Sequence, residues 1–148
     1  MENTIQTIQE YYGIIFPEAY LHALGGMLSS SYDLMEDGEV RDWEIRFHPL
    51  DAKFISTNRD LVDEVNPDPS RIIPIAWSVS SGNNYLLDYR NTPGSPTVLV
   101  MEHEEAMMRE DAEDEAETPE QAQQMMEDNV KVLALSFTEF VARLRPSE

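Results

Sequence analysis

The sequence predicts an α+β domain: a single antiparallel β-sheet of about four or more strands, with N-terminal helices and a C-terminal helix packed against it. Three observations predict it. Apolar residues recur at helical spacing at both ends of the chain. Apolar–polar alternation and β-branched runs occupy the middle. Short turn-forming stretches link those runs, which suits a meander rather than parallel crossovers. The 148 residues are read as one domain, 1–148, because two independent cores need more chain.

The first helix starts near Asn3, a capping residue whose partner three positions on is Gln6. Ile5, Ile8 and Tyr12 share one face, and Gly13 is a natural stop. Ile14-Ile15-Phe16 is an extended apolar link. Pro17 then suits the first position of a second helix, where its missing N–H is not needed. Tyr20, Leu21 and Leu24 form that helix's apolar face, and Gly25-Gly26 ends it. Residues 29–42 read as a loop, with the serines at 29–31 and Asp37-Gly38 as breakers.

Trp43, Ile45 and Phe47 alternate with Glu44, Arg46 and His48, a half-buried strand closed by Pro49. Residues 58–65 suit a short helix capped by Asn58, with Leu61, Val62 and Val65 inward and Pro67 and Pro69 beyond it. Residues 71–79 form a second strand, and Ser81-Gly82-Asn83-Asn84 is a turn signal. Residues 85–89 return as a third strand, and residues 97–101 make a fourth. Near the C-terminus, Ser136 and Glu139 form a capping box. Phe137, Phe140, Val141 and Leu144 form one helical stripe behind it.

Charge is uneven along the chain. Residues 1–101 carry 15 acids and 6 bases; residues 102–128 carry 12 acids with Arg109 the one base; residues 129–148 carry 2 acids and 3 bases. More than half of the net charge of −19 therefore lies in an acidic insertion at about 103–129. The block reads either as a solvated insertion that aids solubility or as an electrostatic handle for a cationic protein. Thr118-Pro119-Glu120-Gln121 is a helix start within it, which would let Met125 and Met126 touch the domain.

Composition excludes several classes. The chain has no Cys, hence no disulfide framework, zinc ribbon or thiol nucleophile. No apolar run nears the ~18 residues of a membrane span, and no basic-then-apolar leader opens the chain. The expected compartment is the cytoplasm. So much negative charge repels phosphate backbones and anionic lipid, so neither nucleic acid nor membrane is an expected partner, whereas a basic protein is.

No catalytic or metal constellation stands out. His22, His48 and His103 are scattered, and Glu102 and Glu104 flank His103 on a strand, facing away from it. Asp111, Glu113, Asp114 and Glu115 lack the Gly and ligand ladder of a calcium loop. The serines lie in no nucleophile motif. No catalytic residue, metal or cofactor is assigned. Trp43 and Trp77 suit core packing, and Trp77 also leads toward the Gly82 turn, where an aromatic would serve as a recognition anchor.

Four blocks resemble a known family. Phe16-Pro17-Glu18-Ala19-Tyr20 with Leu24-Gly25-Gly26 is similar to the opening of the SUKH superfamily, the Smi/Knr-type domain. Ile73-Pro74-Ile75-Ala76 with residues 82–88 resembles its central hairpin, residues 98–104 its next strand, and residues 136–141 its closing helix. Met101 replaces an aromatic of the pattern, and the acidic block lengthens the gap from His103 to Ser136.

The resemblance implies an α+β domain without catalysis. It suggests an immunity protein that neutralises a polymorphic toxin domain, of nuclease or deaminase type, by binding it. Eukaryotic relatives suggest instead a regulatory scaffold of cell-wall signalling, and a small metal-dependent hydrolase is the remaining alternative. The expected partner-binding residues are Trp77, Asn83, Asn84 and Asp88 around the hairpin, Glu102 and Glu104 at the strand end, and Glu113, Asp114 and Glu115 of the acidic run.

Overall fold

The computed structural model describes residues 2–92 and 94–147, with side chains from Thr4 onward. Its helices are α1 (Glu2–Tyr12), α2 (Glu18–Met27), α3 (Phe54–Leu61), α4 (Arg109–Glu115), α5 (Pro119–Glu127) and α6 (Phe137–Ala142). Its strands are β1 (Tyr32–Glu36), β2 (Glu39–Phe47), β3 (Ile72–Ser78), β4 (Asn84–Asp88), β5 (Thr97–Met101), β6 (Val130–Ala134) and β7 (Leu144–Pro146). They form one seven-stranded sheet in the order β6-β5-β4-β3-β2-β1-β7. Every neighbouring pair is antiparallel. The predicted α+β class holds.

Strand period two divides the apolar residues between two faces. Tyr85 and Leu87 of β4 join the main core, whereas Leu86 between them joins a smaller one. The main core receives Ile8 of α1, Tyr20 and Leu24 of α2, and Phe137 and Phe140 of α6. Tyr20 meets Phe137 edge-on at 5.2 Å, and Tyr85 stacks on Phe140 at 5.5 Å. Burying each such ring contributes roughly 1.5–3 kcal/mol. On the other face, Val62, Ile72, Leu86, Leu99 and Met101 pack together, with Val65, Ala106 and Val130 at the margin. Apolar packing therefore covers both faces, not one as alternation alone implied.

Local signals worked where chain chemistry was strong. Gly13 ends α1 at φ +67°, and the Ile14 N–H bonds back to the Gln9 carbonyl. The expected Asn3 cap lies outside the described side chains. Ser136 caps α6 by accepting from the Glu139 N–H at 3.2 Å, and Thr118 caps α5 by accepting from the Gln121 N–H at 3.1 Å.

Several expectations are corrected. Residues 29–42 are not a loop: they hold β1 and the start of β2, joined by Asp37 (φ +52°) and Gly38 (φ +81°). Two consecutive left-handed residues match the right-handed twist of a hairpin. Helix α3 begins at Phe54, so Asn58 lies inside it, buried and bonded to the Tyr12 hydroxyl and the Pro74 carbonyl. That shift turns Leu61 outward, 74% exposed. Helix α2 runs through Gly25 and Gly26 to Met27. Strands β6 and β7 were not anticipated. No described helix is long and apolar enough to cross a membrane.

Strand β2 contains the deepest departure. Its alternation breaks at Glu44, which has φ +55°, and the β1–β2 register shifts beside it. This bulge puts Asp42 inward and Trp43 outward, 51% exposed. Trp43 is therefore not a core residue.

Candidate functional site

The polar end of the sheet is organised by Asp42, which is 3% exposed. Its Oδ1 accepts from the Ser78 hydroxyl at 3.0 Å and the Trp43 N–H at 2.9 Å. Its Oδ2 accepts from the Ser81 hydroxyl (3.1 Å), the Asn83 amide (3.3 Å) and the Tyr85 hydroxyl. One carboxylate thus ties β2 to the β3–β4 turn. Charge-assisted bonds of this kind are the stronger ones. Burial first, then the bond to Asp42, pushes the Tyr85 hydroxyl well above its ordinary range, so it stays a donor.

The turn is extended to β5 by Asn83, whose Oδ1 accepts from the His103 N–H at 2.9 Å. Gly82 sits at φ +81°, and a Cβ there would stand 3.2 Å from the His103 ring. Glycine meets both demands without strain, whereas a side chain would strain the backbone and press on that ring. A small polar hollow of about 120 Å³ opens here, lined by Asp42, Asn83, Tyr85 and Glu102 among others. Glu102 pairs with Lys131 at 3.5 Å, and Lys131 also reaches Glu105 at 3.4 Å. Those two carboxylates, Glu105 first, raise the Lys131 ammonium above its ordinary value.

Asn83, Asn84, Glu102 and Trp77 are therefore brought to one end of the sheet. Trp77 is paired across β3–β4 with Asn84, and its ring stacks on His48 at 4.8 Å with an interplanar angle of 17°. His48 has a buried Nε2 without a hydrogen-bond partner. Desolvation pushes its imidazole down to about 4, against a smaller upward pull from Asp51. Glu104 is exposed in the 3₁₀ turn over His103–Glu105.

Asp88 is placed apart. It pairs with Thr97 and Ile72, at the opposite end of β4 from Asn84. Its carboxylate accepts from Arg90 at 3.1 Å, and Arg90 reaches Glu127 of α5 at 2.7 Å. This is a fastening between sheet and acidic block. That same end holds a concavity of about 760 Å³, lined by Ile14, Ile15, Phe16, Arg71 and Tyr89 among others. None of the predicted partner-binding residues lines it.

The acidic block is a folded helical hairpin. Ala112 of α4 packs with Ala122 and Met126 of α5. Glu110, Asp111, Glu113, Asp114 and Glu115 all face solvent. Its one base, Arg109, turns inward: its guanidinium donates to the Pro67 carbonyl at 3.1 Å and to Gln123 Oε1 at 3.2 Å. Buried Asn129 closes the base of the hairpin, accepting from the Met107 N–H (2.8 Å) and donating to the Val65 carbonyl (2.9 Å).

Sequence reasoning missed Asp42, Asp33 and the outward Trp43. The one available signal was the surplus of donors in Ser78, Ser81 and Asn83, which call for an acceptor. Among the described residues, no group of three or more His, Asp or Glu is placed to hold a metal ion.

Compared with known proteins, residues 1–143 match the model of the SMI1 / KNR4 family (SUKH-1). No curated protein and no solved structure matches the chain.

Proposed function

The chain belongs to the SMI1 / KNR4 family (SUKH-1), and on that premise we propose that it is an immunity protein that binds and neutralises a basic toxin domain of nuclease or deaminase type. Domains of this family are generally non-enzymatic, and the family suggests a protein-binding role.

One observation supports the electrostatic part of this reading. In the α4–α5 hairpin the acids at 110–115 face solvent, while the single base is drawn inward. Nothing on that hairpin's outer surface neutralises them, so their field extends outward by about a Debye length, ~8 Å at physiological salt. A nuclease is cationic where it grips phosphate. An acidic surface therefore competes for the same ground and accelerates encounter ~10–10³-fold. The hydrogen-bonded end built on Asp42, with Trp77, Asn83, Asn84, Glu102 and Glu104 around it, supplies the short-range contacts in this scheme.

The test has two stages. Tagged protein is used as bait in a lysate of the source organism, and co-purifying chains are identified by mass spectrometry. A basic toxin domain encoded beside this gene supports the reading. Capture of an endogenous wall-signalling component overturns it in favour of the scaffold alternative. Stopped-flow association with the captured partner is then compared for the wild type and the Glu113→Ser/Asp114→Ser/Glu115→Ser variant. The variant is expected to associate several-fold more slowly at low salt. An unchanged rate removes the hairpin from the mechanism.

A further inference from the structure

The bulge in β2 does more than break an alternation. It turns the Trp43 indole into solvent at the mouth of a cleft of about 430 Å³, whose lining includes Asp33, Val40, Glu44, Arg145 and Ser147. Asp33 is 9% exposed. Its Oδ1 accepts from the Glu44 N–H at 3.3 Å and from the Ser147 hydroxyl at 2.7 Å. Asp33 lines the cleft. A carboxylate with acceptor capacity to spare at a cleft wall takes a further bond from a donor that enters. Arg145 is in cross-strand register with Asp33 yet forms no ion pair with it.

An aromatic face (Trp43), a largely buried carboxylate (Asp33) and an exposed one (Glu44) around one hollow match the chemistry of a guanidinium. That group is planar, stacks on indole, and donates in a fork to carboxylate. We propose that this cleft receives an arginine side chain of the partner protein, stacked on Trp43 and hydrogen-bonded to Asp33, with Glu44 at the rim. The proposal rests on the reading of the chain as a binder of basic protein and names where one cation of that protein enters. Arg145 is the opposing charge at the rim and weakens entry.

The probe is a blocked pentapeptide, acetyl-Gly-Gly-Arg-Gly-Gly-amide, with lysine and citrulline versions as controls. Each is titrated into the ¹⁵N-labelled full chain at low salt, and the two indole N–H signals are followed. The arginine peptide is expected to shift the Trp43 signal saturably while Trp77 stays still. Citrulline should bind about tenfold more weakly because it lacks the charge, and lysine should fall between. Asp33→Asn and Glu44→Gln should each weaken the arginine peptide several-fold, and Arg145→Ala should strengthen it. Glu44 is exposed, so its variant keeps the test valid if Asp33→Asn loosens the bulge. Equal shifts for arginine and citrulline, or a Trp43 signal indifferent to Glu44→Gln, overturn the proposal. Neither outcome touches the broader reading, which the pull-down tests separately.

Discussion

Two sets of carboxylates do opposite things in this molecule. Asp33 and Asp42 lie within the sheet, at 9% and 3% exposure, and accept hydrogen bonds from backbone and side chains. Glu110, Asp111, Glu113, Asp114 and Glu115 lie exposed on the surface of α4. The inward acids give shape: they brace the Trp43–Glu44 bulge from two sides, and Asp42 ties it to the β3–β4 turn. The outward acids give field. The difference teaches that a net charge of −19 is not one property of the chain. A minority of its acids hold the fold together, while the rest strain it by mutual repulsion and act at a distance.

The contrast is broken most forcefully at Asp42. Asp42→Ala leaves the Ser81, Asn83, Tyr85 and Trp43 donors without their acceptor. Urea denaturation should show a loss of about 3–4 kcal/mol. A loss under 1 kcal/mol means the network is ornamental.

A buried base gives the next effect. The imidazole of His48 is held down at about 4 by burial against an ordinary 6.5. The unfolded chain therefore takes up a proton first. Stability from this group is complete above pH 6.5 and declines as pH falls toward 4. The loss is on the order of 2–3 kcal/mol. The wild type should show this slope over that window and His48→Gln should lack it. Parallel curves for the two proteins contradict the assignment.

Asn129→Ala sharpens the comparison at the junction between the two regions. It deletes the bonds to Met107 and Val65 that close the helical hairpin. The cost should be about 2 kcal/mol. Hydrogen exchange should quicken in α4 and α5 while β3 and β4 stay protected. Uniform quickening means that the hairpin and the sheet open as one unit.

The outward acids give the smallest effect on folding. The Glu113/Asp114/Glu115→Ser variant should differ from wild type by no more than about 0.5 kcal/mol. Any gain from relieved repulsion should vanish in molar salt. A loss above 1 kcal/mol would mean these side chains have structural partners.

Much of the fold was legible because local chemistry and tertiary role agreed. The fourth predicted strand is β5, Thr97–Met101, and the Ser136 and Thr118 caps stand where their spacing put them. The failures cluster where that agreement breaks. Residues 32–47 read as loop then strand because acids at 33 and 42 occupy inward positions and a bulge at 43–44 resets the phase. Periodicity has no means of registering a bulge. Strand β6 escaped notice because Val132 is 63% exposed on a sheet edge, which blurs alternation. Strand β7 is three residues long, too short for any pattern.

The candidate site was half legible. The hairpin signal pointed to Trp77, Asn83 and Asn84 and the strand end to Glu102, and these share one end of the sheet. Asp88 followed them in sequence but lies at the far end of its strand, because five residues of extended chain carry it there. Asp42 was invisible: its side-chain partners lie 36 to 43 residues further on, and no local pattern joins them.

The stacking of Trp77 on His48 has an optical consequence. Face-to-face contact with imidazole lets that ring quench the indole strongly once it carries a proton, whereas Trp43 emits as a water-exposed dye. Ultraviolet emission of the unlabelled protein thus contains two colours with separate meanings: one for occupancy at the bulge, the other for acid loosening of the sheet.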